Sequence, residues 1–597
     1  MAKDIQIKYK NEQKEWEELY PKTKTRNIID DKGESQEEIN ENLTTQLAQT
    51  VKMKIVTSYG VVGDGVTDNT ENLQTLLDEG GTIYFPNGTY FLKTVDITKD
   101  NTKLYFAEDV VLKSDHMIND NHFGVINILG VEQENFTGIS DLNEGDTLVP
   151  VSSGFAGQFV DGGYIYLTQQ NPTNFTVENI EDRYHRDSVK VIGVENNQLI
   201  LNKPLSHSYS IGQGYSIRKY EPIKNVELIG NKTVIDNMGI ETGGAFINTQ
   251  HTDGLIVDGF HLTNGSGRAV YVSRGINFKV RNIKQTNPLK TDPGYGYGIT
   301  VENGSNQGFI EYFEMYDSRH GVDICSGSNH ILIKNGSIHR TDISGHGQNS
   351  KHITVENVNV YDSTVGVGIG VLQYGKDMNW TINNVHGEGV TRLIGVYSHS
   401  SDITITNVST DGLSNTLLFV NYGYNITLDG GHAIDSFTPI NLSNAATNVV
   451  IRNLFAVDRT RGQYQSRYGI SIGTNCKYIV IDNVHIQGVY YSMLHFTSDS
   501  TGPFKVSSST FLHEREGTHA INMDNAKDLT LLGNKIIGTI FASTGLGPYY
   551  LINNDIEGTV DIREATEGMF IGNYGDIAYL RTPDSPKFIT KDNITND

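Results

Sequence analysis

The stretches I-L-I-K-N at 331–335 and I-T-V-E-N at 353–357 are two copies of one phrase that organises the chain. A third copy, F-K-V-R-N, ends at Asn282, and others end at Asn384, Asn407, Gly430, Asn453, Asn483, Asn534 and Asn573. Spacings of 22 or 23 residues recur, from Asn335 to Asn357 and from Asn384 through Asn407 and Gly430 to Asn453. A fixed period in this range signals stacked supersecondary units. Each copy is a short β-branched run closed by Asn or Gly, the residues that accept a left-handed turn. None carries a helical period or the L-x-x-L-x-L frame of leucine-rich repeats. The pattern predicts an all-β chain coiled as a parallel β-helix, in which each coil buries its inward side chains by stacking on its neighbours. The recurrent Asn is read as structural, its amide bonding the next coil's turn in an internal ladder.

Working outward, composition sets bounds. The chain has 597 residues, too many for one ordinary core but no obstacle to a solenoid, which grows in one dimension. Its 62 Gly and 31 Tyr fit many tight turns and an aromatic surface. The 47 basic residues against 70 acidic ones give a net charge of −23. That excludes nucleic acid as a partner, since such binding rests on basic neutralisation of phosphates. It also disfavours a polyanionic substrate unless a local basic patch offsets the field. The two cysteines, Cys325 and Cys476, are about six coils apart on a rise of roughly 4.8 Å per coil, so no disulfide is expected. M-A-K-D-I-Q-I-K-Y-K at the N-terminus has no apolar core of the secretory kind, and no run reaches the ~18 apolar residues of a membrane span. Neither a secretory signal nor a membrane span is expected.

Five segments follow. Residues 1–53 are charged and Gly-poor; Ile39, Leu43, Leu47 and Val51 fall on one helical face, in a helix packed on its own domain or in a bundle of several chains. Residues 54–124 form the cap and first coils. There Asp68 and Glu71 read as a capping box for a helix with Leu73, Leu76 and Leu77 on its apolar side, ended by Gly80-Gly81. G-D-G at 63–65 is assigned to turn and capping rather than to a ligand. Residues 125–222 break the coil pattern with alternating runs such as Y-I-Y-L and S-V-K-V-I, a small antiparallel β insertion. The main β-helix occupies 223–580, and 581–597 is an irregular polar tail.

The opening G-D-G-V-T-D-N-T at 63–70 with G-G-T-I-Y-F-P-N-G-T-Y at 80–90 resembles the pectate-lyase-like right-handed parallel β-helix superfamily, which includes bacteriophage tailspikes and pre-neck appendage proteins. The resemblance covers roughly residues 54–575 as fold. It implies a virion protein of the tail or appendage, a homotrimer joined to other phage tail or neck proteins through its N-terminus. It does not fix a chemistry, because one fold hosts many reactions.

One pair of coils departs from its neighbours' Ser, Thr, Asn and Gly: Y-D-S-R-H-G-V-D-I-C-S-G-S-N-H at 316–330 and I-H-R-T-D-I-S-G-H-G-Q-N-S at 338–350. Overlaying R-H-G-V-D-I on Y-G-I-T-V (297–301) points Val322 and Ile324 inward and Asp323 outward, in the column of Thr300. Tyr316, His339 and Tyr361 share one column, and Asp317, Arg340 and Asp362 the next. Asp323, Asp342, His320, His346 and Asp317 are the catalytic candidates. Paired carboxyls on adjacent coils suit glycoside hydrolysis, and imidazoles titrating near neutrality suit acid–base work. Arg319, Arg340, His339, Tyr297, Tyr316, Tyr361 and Glu302 are the substrate-binding candidates, since guanidinium matches phosphate and aromatic rings stack on sugars. No metal ligand set is assigned and no cofactor is required, with room left for a divalent cation, calcium or magnesium.

The same stretch partly resembles the polygalacturonases, whose pattern runs N-T-D-G, D-D, G-H-G and R-I-K. His320 stands in place of the first Asp, Asp342 where a D-D pair would be, Gly345-His346-Gly347 follows too soon, and R-I-K is missing. These departures argue against a uronic-acid hydrolase, while R-H-G-V-D at 319–323 and S-G-H-G at 344–347 resemble the phage appendage proteins, members of which degrade wall teichoic acid or surface polysaccharide. Three readings result: a tailspike depolymerase acting as glycosidase, phosphodiesterase or lyase; a non-catalytic glycan receptor-binding protein; and a bacterial polysaccharide-degrading enzyme.

Overall fold

The computed structural model describes residues 7–10, 16–19 and 53–595, the last span with short breaks of which 116–123, 171–183, 460–467 and 582–587 are the longest. The chain is a parallel β-solenoid of about 19 turns with right-handed coils. One sheet gathers a short strand from every coil, among them Ala245–Asp253, Arg268–Ile276, Ile299–Glu302, Val322–Ile324, Ile343–Gly345 and Val365–Ile369, all paired parallel. The register puts Thr300 beside Asp323 and Asp323 beside Ser344. Long strands such as Asn329–His339 and Lys351–Tyr361 supply the rest of each coil.

Those long strands turn corners inside their length. Left-handed residues stand five apart in successive central coils: His330, Asn335 and Arg340; His352, Asn357 and Asp362; Asn379, Asn384 and Gly389. Asn335 is the middle corner, at φ 56°. Between corners, alternate side chains point inward, and Ile331, Ile333, Ile338 and Ile343 are fully buried in one core that runs from Val56 to Phe570. At roughly 2 kcal/mol per buried branched side chain, stacking of these columns is the main stabilising term.

The recurrent Asn makes two kinds of ladder. Through Asn483 it is exposed and bonds outside the coil, as from Asn357 Nδ2 to Asn335 Oδ1 (3.1 Å) and Asn384 Nδ2 to Asn357 Oδ1 (2.7 Å). The expected internal ladder exists only at the C-terminal end. Asn534, Asn554 and Asn573 are buried, each taking an N–H from the preceding coil and donating to a carbonyl within. The reason is a one-residue shift: Gly533, Asn553 and Gly572 take the left-handed corner there, so the Asn that follows points inward.

At the N-terminal end the helix Thr70–Glu79 closes the core with Leu73, Leu76 and Leu77. The capping box is not formed. Asp68 Oδ1 accepts from Thr70 N instead (3.0 Å), and Asp64 closes its own turn by accepting from Val66 and Thr67 N–H. The helical face expected at Ile39–Val51 lies outside the described residues; Ile7–Lys10 pairs antiparallel with Trp16–Leu19. Parallel pairing continues through Phe588–Lys591 and Ile594–Thr595, inside the segment read as an irregular tail.

The insertion is a six-stranded antiparallel sheet from Val131–Thr137 to Ser216–Glu221 with its own core, while Gly124–Leu129 is still a solenoid strand. It is fastened over the coils between residues 253 and 351. Tyr164 Oη donates to Asp253 (2.7 Å), His207 Nε2 bonds Asn349 O (3.0 Å) and Lys351 Nζ meets Glu144 (2.7 Å). A Cβ on Gly304 would lie 2.9 Å from the Arg186 backbone, so only glycine allows this approach.

Candidate active site

Strand alternation builds the site. In Val322–Ile324 the two aliphatics face the core and Asp323 faces out; one coil on, His346 follows the end of Ile343–Gly345 on that outer face. His320 and Asp342 stand just before these two strands. The result is two crossed pairs. His320 of the first coil reaches Asp342 of the second, Nδ1 to Oδ1, at 2.6 Å. Asp323 of the first coil faces His346 of the second, Oδ1 to Nδ1, at 3.3 Å. The two imidazoles meet edge to face with centroids 4.9 Å apart. Asp323, His320 and His346 are buried, and His320 Nε2 has no hydrogen-bond partner.

Burial alone would lower the His320 pKa, but the Asp342 carboxylate and its hydrogen bond, with Asp323 behind, outweigh it and raise the pKa above the ordinary value. The ring is therefore held ready to carry a proton near neutrality. Tyr297 lies against it at 5.4 Å, with Arg268 and Arg319 over the tyrosine ring at 5.3 and 5.8 Å. Glu302 joins the same face. It accepts from Tyr271 Oη, from Asn303 Nδ2 (3.0 Å) and from Cys325 Sγ (3.5 Å).

Behind the His346 loop stands Asp377, wholly buried. Its carboxylate accepts from the N–H groups of Gly347 (2.9 Å), Ser350 (2.9 Å) and Gly370 (3.0 Å). Burial still lifts its pKa to about 6 against these three donors. A Cβ on Gly345 would come within 2.5 Å of Asp377 and 2.6 Å of Trp380, so glycine is what lets the carboxylate sit beneath the loop.

The structure thus brings together Asp323, Asp342, His320, His346, Tyr297, Arg319 and Glu302. Five other candidates stand apart from these contacts. Asp317 and Arg340 occupy the third left-handed corner (φ 53° and 54°) and pair with each other in solvent, Nη2 to Oδ2 at 2.8 Å. Their guanidinium and carboxylate are engaged mutually rather than with the His–Asp pairs. Tyr316, His339 and Tyr361 form an outer stack, with centroids 4.3 and 4.6 Å apart. Arg268, Tyr271, Cys325 and Asp377 were missed. Cys325 was legible as the next outward position after Asp323. Asp377, in Y-G-K-D-M, lies where no repeat phrase indicates its direction.

Asp323, Cys325 and His346 offer ligand atoms within 4.8 Å of one another. Sulfur with imidazole suits zinc better than calcium or magnesium, which take oxygen ligands. Burial, with Asp323 and Glu302 nearby, pushes the Cys325 thiol well up, so the group is as it stands a protonated thiol among carboxylates. Among the described residues no helix is long and apolar enough to cross a membrane.

Coil, register and end cap define the architecture: a right-handed parallel β-helix carrying a buried histidine–carboxylate cluster on two adjacent coils. Residues 54–119 match the family described as rhamnogalacturonase A/epimerase, pectate lyase-like. The solved tailspike protein gp49 from Pseudomonas phage LKA1 is similar in fold, with a TM-score of 0.50 at 13% identity, covering 83% of this chain and 84% of that one. The pre-mature gene product 12 of bacteriophage phi29 gives 0.51 at 12%, covering 91% and 74%. In sequence, the plasmin and fibronectin-binding protein A of Streptococcus pneumoniae is 24% identical over 182 residues, 26% of this chain. The chain spans only a quarter (25%) of that relative's length.

Proposed function

We propose that the chain is a tailspike-type protein that binds a bacterial surface glycopolymer and cleaves it by acid–base chemistry in the groove over Asp323 and His320. The observation that carries this reading is the crossed pair of His–Asp contacts on adjacent coils, with one imidazole nitrogen left free of partners. Asp342 holds His320 by Nδ1, so Nε2, which is buried in the free chain, is the atom that delivers a proton to the leaving oxygen once polymer binding uncovers it. Asp323, held against His346, takes the proton from the attacking group on the opposite side. Tyr297 and Arg319 form the wall against which the polymer lies, and Asp377 fixes the loop that carries His346. Teichoic acid and capsular or extracellular polysaccharide are the polymer classes in view, at the surface of the host cell from a trimeric virion appendage whose N-terminus joins other tail proteins.

The test is incubation of the purified protein with teichoic acid and a panel of capsular and biofilm polysaccharides, followed by sizing of the products. Shortened chains from at least one polymer support the reading; unchanged profiles across the panel sink its enzymatic half. Two observations favour a second reading, a binder without turnover. A cleft of about 1400 Å³, lined by Lys203, Phe309, His330, His352, Thr354 and Thr381, runs beneath the insertion and does not include the His–Asp pairs. The sequence relative is, by its name, a binding protein.

A further inference from the structure

The outward columns beside the His–Asp pairs also assemble a set of metal ligands. The strands Ile299–Glu302, Val322–Ile324 and Ile343–Gly345 lie on three successive coils, with Thr300, Asp323 and Ser344 in one column. The ladder runs on past the strand ends: Cys325 N–H donates to Val301 O (3.0 Å) and His346 N–H to Ile324 O (3.2 Å). That register sets Glu302, Cys325 and His346 in the next outward column. Asp323 and Cys325 are two residues apart on one strand face, and His346 comes from the coil stacked roughly 4.8 Å away.

The distances suit a tetrahedral ion. Asp323 Oδ1 is 3.3 Å from His346 Nδ1, and Asp323 Oδ2 is 4.0 Å from Cys325 Sγ. Cys325 Sγ is also 3.5 Å from Glu302 Oε2. Donor atoms around a tetrahedral zinc ion, on bonds of about 2.0–2.3 Å, stand roughly 3.3–3.8 Å from one another. The side chains therefore lie within a few tenths of an ångström of such a cage.

A separate observation points the same way. Asp323 Oδ1 is buried with no hydrogen-bond partner, and so are Thr300 Oγ1 and Ser344 Oγ on either side of it in the column. Asp323 is only 2% exposed, Thr300 1% and Ser344 0%. Buried oxygens are normally satisfied, so three in one row mark a place built for a further polar species. The field there favours a cation: burial, with Asp323 and Glu302 alongside, pushes the Cys325 thiol well up. Donor type then selects among cations, because sulfur with imidazole suits zinc, whereas calcium and magnesium take oxygen ligands. We infer that Asp323, Cys325 and His346 bind one zinc ion, with the fourth corner filled by Glu302 or a water. On uptake the Cys325 S–H bond is replaced by an S–Zn bond and the proton leaves to solvent, while Asp323 and His346 Nδ1 bind through lone pairs. Asp323 is shared with the cleavage proposed above, but metal content and absorption report the ion whether or not any polymer is cut.

The experiment strips the full chain with a chelator, dialyses it against zinc and measures metal per chain after gel filtration. A second sample takes cobalt(II) in place of zinc and is followed by absorption. Wild type is expected to retain one zinc per chain, and its cobalt form to show a thiolate-to-cobalt charge-transfer band with the intense visible bands of a tetrahedral site. Cys325→Ser removes the charge-transfer band, and Cys325→Ser and His346→Ala each weaken zinc binding at least about tenfold. Cys476→Ser keeps the band, since that thiol is buried elsewhere against Leu442 O (3.6 Å). Should the Cys325 and His346 variants fail to fold by circular dichroism, X-ray absorption at the zinc edge of wild type is expected to show one sulfur at about 2.3 Å. Wild type that retains no zinc, a charge-transfer band unaltered in folded Cys325→Ser, or a zinc shell of oxygen and nitrogen alone overturns the inference.

Discussion

At His320 two effects of opposite sign act on one ring. Burial disfavours the imidazolium, and the Asp342 carboxylate 2.6 Å away favours it more strongly. Because the folded-state pKa is raised, the stabilising contribution is complete below the unfolded value near 6.5 and is lost as pH climbs through the folded value above it. Asp342→Asn removes the two largest raising effects and leaves burial and the weaker Asp323 effect, so His320 should titrate lower in the variant than in wild type. A proton NMR titration of the His320 ring checks this; an unmoved midpoint contradicts it. Cleavage that needs protonated His320 should lose its alkaline limb over the same interval. Asp377 works through other groups. Asp377→Ala leaves three buried N–H donors without an acceptor, at about 1–3 kcal/mol each before relaxation. Faster amide hydrogen exchange at Gly347, Ser350 and Gly370 is expected, with distant coils unchanged.

At the scale of the coil, the three left-handed corners explain which residues carry chemistry. A corner residue is chosen for φ, and Asn, Asp and Gly fill most of these positions. Arg340 is an exception with a backbone cost of about 1–2 kcal/mol, offset only weakly by a solvent-screened ion pair to Asp317. Arg340→Asn should therefore leave thermal stability unchanged or higher and leave cleavage intact; a large loss of turnover would return Arg340 to the substrate. The two Asn ladders separate in the same way. Asn554→Ala strips four buried hydrogen bonds and should cost roughly 3 kcal/mol or more in urea melts, against about 1 kcal/mol or less for the exposed Asn384→Gly, which keeps its left-handed corner. The outward columns Thr300–Asp323 and Tyr316–His339–Tyr361 were legible because strand period and coil period are both fixed. The corners were less so. Gly533-Asn534 and Ile333-Lys334-Asn335 look alike in text, yet one residue of shift moves the Asn from solvent into the core.

For the molecule as a whole, repetition made the solenoid readable, and its interruptions held most of what was not. The insertion was visible as a break in the repeat, but nothing in Y-I-Y-L-T or Y-S-I-R-K tells that Tyr166, Arg218 and the distant Arg274 close on one cavity. Asp377 was hidden for the same reason: its partners lie in loops, where no period reports direction. If the chain forms the trimeric appendage proposed above, sedimentation of the full chain should give three times the 66.1 kDa of one chain; a 66.1 kDa particle contradicts that assembly. The central claim is that the crossed His–Asp pairs cut a glycopolymer. It is tested most directly by comparing wild type with Asp323→Asn/Asp342→Asn on whichever polymer wild type shortens, reading chain length and bound fraction in the same samples. The account predicts that the double variant binds the polymer and leaves its length unchanged. Shortening by the variant at the wild-type rate would contradict it.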